Sequence, residues 1–352
     1  MKLNINKKSV SEQIAAHFRG AIEGGKYKPG DPFPSERQLE AEIGVSRKTV
    51  NKAISILAGQ GYVFKEQGKS TFVADFRKAA AVASGERNLA FVFESPESMY
   101  HPYGAPLFRA LCALAVDGGY GTKMVFESDP ALPRLRKELA GGNIRGLFVF
   151  PDFAFADLAA LDIPFAVFRR VFGKLPPGRH VVSYADELDA MRQALRCLAG
   201  KSRTCPAFLS GSPERESEAE RERTFLEEAA ILKLKSPRII PTHYDRGETE
   251  AAATAILKLG ADAVVAADDM VARWTVDALA AHGVDVPGDI AVIGFNDMEM
   301  YSRRAPELTT FTLPYAEIAA AGFAGLERLL AGASAAVTAP PAKYRFKQGL
   351  TA

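Results

Sequence analysis

The sequence predicts an α/β protein in which a small helical domain precedes a larger, alternating one. The chain has 352 residues, of which 47% are hydrophobic and 24% charged, enough for two or three domains and a sizeable core. Its first 75 residues carry three stretches of helical periodicity and then two short β-rich runs. From residue 89 onward, β-rich runs alternate with helical stretches, the pattern of parallel sheets covered by helices.

In the first part, Val10, Ile14, Phe18 and Ile22 recur at helical spacing until Gly24 and Gly25 stop the run. "KPGDPFP" is a turn-rich connector. Ser35 caps a second helix, with Gln38 three residues on to complete a capping box. Leu39 and Ile43 face inward, and Gly44 stands where a terminating glycine is expected. Ser46 caps a third helix with an inner stripe of Val50, Ala53, Ile54 and Leu57. Lys48, Asn51, Lys52 and Ser55 point away from that stripe, with Arg47 at the tip. "GYVFKEQGKSTFV" then reads as a hairpin turning at Gln67 and Gly68. Three helices and a hairpin make a winged helix-turn-helix.

Such a unit presents the start of its third helix to a DNA major groove. Unpaired N–H groups and the positive dipole end attract phosphate. Short polar caps and arginine reach base edges, and arginine pairs well with guanine O6 and N7. Gly68 lets the wing tip approach the sugar-phosphate backbone, and Lys69 adds charge there. Residues 1–75 hold 12 Lys/Arg against 8 Asp/Glu, so this segment is +4 while the remainder is −2. That asymmetry favours a polyanionic partner for the first part alone. "GKST" at 68–71 echoes a phosphate-binding loop, but position 63 is valine, not the required glycine, and "TFV" continues a strand instead of opening a helix.

The stretch "GKYKPGDPFPSERQLEAEIGVSRKTVNKAISILAGQGYVFKEQGKSTFV" resembles the DNA-binding domain of the GntR family of bacterial transcription regulators, over about residues 7–75. The resemblance places Arg37 of "PSER", Ser46, Arg47 and Thr49 of "VSRKT", and Gly68 of the wing at DNA-contacting positions. Lys48 departs from a usual small hydroxyl residue, Asn51 from a frequent arginine, and Ser70 from a usual glycine. An asparagine at position 51 that reached a base would favour adenine. The DNA-contacting set is therefore Arg37, Ser46, Arg47, Lys48, Thr49, Asn51, Gln67, Gly68 and Lys69.

Residues 76–88 form an interdomain linker, poor in aromatic and β-branched residues, and 89–352 a second domain. Its β-rich runs are LAFVFE, TKMVFE, GLFVF, FAVFR, PAFLSG, RIIP, AVVAAD and IAVIGF. In open α/β sheets, ligands gather beyond the carboxyl ends of the strands. That rule nominates Glu94, Glu127, Phe150, Arg169, Ser210, Asp268 and Asn296. Carboxylate, amide, guanidinium and aromatic groups together suit a hydroxyl-rich ligand; the alternative for any one of them is a polar group capping a loop.

"ADAVVAADDMVARWTVDALAAHGVDVPGDIAVIGFND" and "PELTTFTLP" resemble the effector-binding domain of the lactose-repressor family, akin to periplasmic sugar-binding proteins. The likeness runs more faintly over residues 88–352. It implies two Rossmann-like lobes of periplasmic-binding-protein type joined by three crossovers, near 170–183, 308–315 and 331–342. It also implies ligand contacts from Arg221, Asp268, Asn296, Tyr315 and, in "HPYGAPLFRAL", Tyr103. Arg169 replaces an often acidic position, which admits a sugar acid or sugar phosphate as ligand. Arg273 and Trp274 fall where the family often pairs subunits, the alternative for Trp274 being a place in the core.

Cys112, Cys197 and Cys205 are far apart, with no metal-ligand spacing, and five histidines are scattered. Neither a secretory signal nor an 18-residue apolar span is found. The expectation is a cytoplasmic, ligand-responsive transcriptional repressor of carbohydrate metabolism genes, not an enzyme, without cofactor or metal. Its partners are palindromic double-stranded operator DNA, a sugar-like effector and a second copy of itself, with no membrane. This pairing of reader and effector domain is the architecture of arabinose-responsive repressors of Gram-positive bacteria. An activator of the same build is the alternative.

Overall fold

The computed structural model describes residues 9–65, 70–74, 87–100, 104–150, 153–171, 175 and 177–352. At the start lie α1 (Val10–Glu23), α2 (Glu36–Ile43) and α3 (Arg47–Gly59), then β1 (Val63–Lys65) and β2 (Thr71–Val73). Each helix begins on a serine. The hydroxyls of Ser9, Ser35 and Ser46 accept from the backbone N–H groups of Glu12, Gln38 and Thr49. Ser35 and Gln38 close the expected capping box, and Ser9 with Glu12 makes a second one. Ile14, Phe18, Ile22, Leu39, Val50, Ala53 and Leu57 join Val63 and Val73 in one buried core, with Ile54 at its margin. The two strands pair antiparallel, Val63 opposite Val73 and Phe64 opposite Phe72, as a wing requires. The wing tip, with Gln67, Gly68 and Lys69, lies outside the described residues, as does most of the expected linker.

The next elements are β3 (Asn88–Phe93), α4 (Gly104–Asp117), β4 (Gly121–Phe126), α5 (Pro133–Ala140), β5 (Ile144–Val149), α6 (Phe155–Ala159), β6 (Phe165–Val167) and β7 (His180–Val182). Then come α7 (Glu187–Gly200), β8 (Pro206–Ser210), α8 (Glu216–Ile231), β9 (Arg238–Pro241), α9 (Arg246–Lys258), β10 (Ala263–Ala266), α10 (Asp269–Ala281), β11 (Ala291–Ile293) and α11 (Glu299–Ser302). The chain closes with β12 (Thr310–Thr312), α12 (Tyr315–Leu330), β13 (Val337–Thr338) and β14 (Arg345–Lys347). All eight β-rich runs of the sequence are strands.

Two larger sheets result, one per lobe. The first has the order β13-β7-β6-β5-β3-β4 and the second β11-β10-β8-β9, with β12 and β14 forming an antiparallel pair. The second sheet is parallel throughout. Its strands alternate sides with period two. Phe208, Val265 and Ile293 pack against α7 and α8 residues such as Leu195 and Phe225. Leu209, Val264 and Val292 pack on the other side with Ile256, Val271 and Leu279. Burial on both faces is why these strands read as unbroken apolar runs. The first crossover differs from expectation: β7 still belongs to the first sheet, so the chain leaves that lobe at 183–186, after the predicted 170–183. The others fall at 313–314 and 339–344, where β12 gives way to α12 and β13 to β14.

Gly44 ends α2 in the left-handed region, φ 75°, and turns the chain directly into α3. A Cβ there would meet nothing within 4 Å, so its cost is conformational alone. Gly44→Ala is expected to lower the stability of this domain by about 1–2 kcal/mol, read from its urea unfolding curve.

Candidate functional site

The start of α3 is an exposed, donor-rich surface. Ser46 Oγ lies 2.8 Å from Thr49 Oγ1, so the cap is braced by a second hydroxyl. Arg47 is 73% exposed, and its Nε donates to Glu36 Oε2 at 2.9 Å. The other oxygen of the same carboxylate accepts from Asn51 Nδ2 at 2.8 Å. Glu40 Oε1 accepts from the Arg47 backbone N–H at 3.1 Å. Arg37 and Lys48 are exposed beside them. Glu36 was not among the residues selected from the sequence. The signal was in "PSER" itself: as the first residue of α2, Glu36 is brought beside α3 by the tight turn at Gly44.

The second sheet gathers a denser set at its carboxyl edge. Arg221, on α8, is 7% exposed. Its Nη1 donates to Glu218 Oε1 at 3.0 Å and its Nη2 to the Ala267 carbonyl at 2.9 Å. The guanidinium lies 4.9 Å from the Phe295 ring centroid and 5.3 Å from that of Phe208. Burial alone lowers the Arg221 pKa, but the facing Glu218 outweighs it and holds the group above its ordinary value. Glu218 also accepts from Tyr244 Oη at 3.0 Å and from the Gly211 N–H at 3.1 Å. Among the described residues, the buried Arg221 Nε and Ser210 Oγ have no hydrogen-bond partner.

Backbone strain marks the same edge. His243 and Tyr244, after β9, have φ of 47° and 56°, and Asn296 and Asp297, after β11, have 87° and 49°. Left-handed non-glycine residues in succession persist only where surrounding contacts hold them, commonly at functional sites. Asn296 Oδ1 accepts from Tyr344 Oη at 3.1 Å. Arg170 binds Asp186 at 2.6 Å and Glu187 at 3.0 Å where the chain leaves the first lobe. Burial raises the Glu187 pKa, opposed by Arg170 and, further off, by Arg221.

The predicted ligand residues fall into groups. Arg221, Asp268 and Asn296 share the carboxyl edge of the second sheet. Asp268 caps α10, accepting from the Val271 N–H at 2.9 Å, and burial raises its pKa to about 6 against the pull of those amides and Arg221. Phe150 and Arg169 belong to the first sheet's edge. Phe150 stacks on Phe93 at 4.4 Å, and Arg169 donates to the Phe153 carbonyl at 3.1 Å over the Phe155 ring. Glu94 is exposed just beyond β3. Tyr315 opens α12 and lines a cavity of about 280 Å³ with Thr312, Pro314, Glu317 and Arg345. Tyr103 lies outside the described residues. Glu127 caps α5, accepting from the Arg134 and Leu135 N–H groups, the loop-capping role weighed against it. Glu218, Tyr244, Glu187, Arg170 and Tyr344 were missed.

Arg273 differs from the subunit contact suggested by its position. It is fully buried and donates to the carbonyls of Tyr301, Arg304 and Pro306, clamping the loop after α11. Trp274 is half-buried. Among the described residues, no group of three or more His, Cys, Asp or Glu is placed to hold a metal, and no helix is long and apolar enough to cross a membrane.

A winged helix-turn-helix with exposed donors at the start of its third helix is thus followed by a two-lobed α/β domain with a polar strand edge. Residues 10–73 match the family of bacterial regulatory proteins, gntR family, and residues 196–346 match the periplasmic binding protein-like domain. The chain is 37% identical over 75 residues to the HTH-type transcriptional repressor NagR of Bacillus subtilis, covering 20% of this chain and 31% of that protein. It thus spans about a third of the length of the curated relatives it matches. Among solved structures, a LacI family regulator from Arthrobacter in complex with lactose aligns with TM-score 0.63 and 19% identity, over 76% of this chain and 99% of that one. The regulator CelR in complex with cellobiose aligns with TM-score 0.66 and 18% identity, over 91% and 100%. The architecture is a GntR-type helix-turn-helix followed by a LacI-type periplasmic-binding-protein fold.

Asp269, beside Asp268, is buried. Burial raises its pKa to about 8, opposed by donors from Thr310 at 2.5 Å and the Met298 N–H at 2.6 Å. In the fold it keeps a proton that the unfolded chain gives up near 3.8. Its contribution to stability is therefore full below that value and is lost as pH rises through about 8. An asparagine offers Met298 the same acceptor and Thr310 a donor. Asp269→Asn is expected to reduce the fall of unfolding free energy between pH 5.5 and 8, by up to about 1.4 kcal/mol per pH unit, in urea titrations.

Proposed function

We propose that the protein is a sequence-specific transcriptional repressor of carbohydrate metabolism genes, released from or held on DNA by a sugar-like effector. The observation that carries this reading is the pairing, in one chain, of an exposed Arg47–Asn51 reading surface with a strained, donor-rich strand edge around Arg221. Residues 1–75 read DNA, 76–88 connect, and 89–352 bind the effector and pair subunits. A homodimer sets two α3 helices on a palindromic site, one per half-site. Arg37, Ser46, Arg47, Lys48, Thr49 and Asn51 contact it, with Gln67, Gly68 and Lys69 at the wing.

The effector is bound by Arg221, Asp268 and Asn296 of one lobe and Glu94, Phe150 and Arg169 of the other, together with Tyr103 and Tyr315. The lactose and cellobiose complexes of the similar regulators support a sugar-like effector, and the repressor named above supports repression. A 1:99 to 99:1 change in operator occupancy requires the effector to discriminate the two states by about 5.5 kcal/mol. Coupling runs through the 76–88 segment and the movement of the lobes.

Two substitutions separate the halves of this proposal. Arg47→Ala is expected to weaken operator binding by about 5- to 150-fold, as for a lost bidentate base contact, with effector binding intact. Fluorescence anisotropy on operator and scrambled duplexes reads this; equal preference in the variant removes Arg47 from the reading set. Arg221→Ala is expected to retain operator binding and lose the effector's effect on it. A thermal-shift screen of sugars, sugar acids and sugar phosphates identifies the effector, because specific binding raises the melting temperature by mass action.

A further inference from the structure

Arg221 sits in a neighbourhood already rich in carboxylates. Glu218 contacts it directly, and Asp268 and Glu187 act on it electrostatically. The second guanidinium on this side, Arg170, is engaged by Asp186 and Glu187. On the second-sheet side of the site, Arg221 and Arg170 thus face four acidic residues: Glu218, Asp268, Asp186 and Glu187. An entering anion meets positive charge that the protein has already matched, and desolvates its own charge without return.

Glu218 is held in that role by three donors: Arg221 Nη1, Tyr244 Oη and the Gly211 N–H. Tyr244 reaches it only because residue 211 is glycine, since a Cβ there would lie 2.3 Å from the Tyr244 ring. Burial and the neighbouring Glu218 push the Tyr244 phenol well above its ordinary pKa, so it stays an O–H donor. The left-handed backbone of His243 and Tyr244 turns the ring into this position. Among the described residues at this strand edge, the buried Arg221 Nε–H and Ser210 hydroxyl have no hydrogen-bond partner. Both offer hydrogen bonds without adding net positive charge to what Glu218 has balanced.

We infer that Glu218 is a specificity-determining residue of this site: by occupying Arg221 it makes the site select an uncharged, hydroxyl-rich ligand and reject the acid or phosphate ester of the same sugar. This rests on the effector-site reading above and narrows it. Arg169, the one residue that pointed toward an acidic ligand, is on the first lobe and directs a donor to the Phe153 carbonyl.

The experiment uses the full chain and matched probes: glucose, arabinose and cellobiose, with gluconate, arabinonate, cellobionate and glucose 6-phosphate. Thermal shift finds binders and calorimetry measures them. The wild type is expected to respond to at least one neutral sugar and not to its acid or phosphate at equal concentration. Glu218→Gln is expected to raise the acid-to-neutral affinity ratio at least tenfold. Glu218→Ala, read the same way, decides the matter if Glu218→Gln does not fold, and Tyr244→Phe, which keeps the carboxylate, is expected to preserve the neutral preference. A wild type that prefers an acid or phosphate, or an unchanged ratio in folded Glu218→Gln, overturns the inference and leaves the effector site standing. Silence of the wild type toward every probe overturns the effector-site reading and this inference together.

Discussion

A guanidinium taken out of water at the end of a parallel sheet constrains everything placed around it. Arg221 loses its hydration, and an unpaired buried charge costs several kcal/mol. The fold supplies a carboxylate at Glu218, a strand-end carbonyl at Ala267, and the rings of Phe208 and Phe295. A desolvated cation near such rings gains about 2 kcal/mol. These partners come from β8, α8 and the ends of β10 and β11, so the cation ties together the edge on which all three strands finish. Left-handed pairs at 243–244 and 296–297 shape the loops after β9 and β11, where Tyr244 donates to Glu218 and Asn296 accepts from Tyr344.

The N-terminal domain solves a smaller problem by local means. Among the described residues its core is one cluster of eleven buried side chains, so the helix ends matter as much as the interior. Two serine caps, Ser35 and Ser46, and the left-handed Gly44 place the α2 and α3 termini without help from a large apolar surface. The same caps leave the donors at the start of α3 outside the core. Local stability and the exposed reading surface are consequences of one arrangement.

Most of this architecture could be read before the structure. Serine caps, the Gly44 stop and short unbroken apolar runs are local signals, set within a few residues, and the sequence carried them openly. The carboxyl-edge rule likewise led to Asp268 and Asn296 from strand ends alone, and the family resemblance to Arg221. What escaped were partners distant in sequence. Glu218 reads as one of many acids on a charged helix, and only its distance to Arg221, Tyr244 and Gly211 sets it apart. Tyr244 is hidden because its role depends on a backbone conformation that tyrosine rarely adopts. Arg273 misled for the opposite reason: the family resemblance suggested a subunit contact, whereas the carbonyls of Tyr301, Arg304 and Pro306 draw it inside. Glu127 shows the limit of the strand-end rule, since a capping carboxylate and a binding one look alike in sequence.

Glu36 joins Arg47 and Asn51 through the two oxygens of one carboxylate. On the proposed reading, in which both meet an operator, the two side chains are therefore not independent of each other. A base that draws Arg47 away changes the acceptor left to Asn51, and the reverse holds as well. Paired alterations of an operator beneath these residues should show epistasis, and a recognition code written one nucleotide at a time would misjudge them.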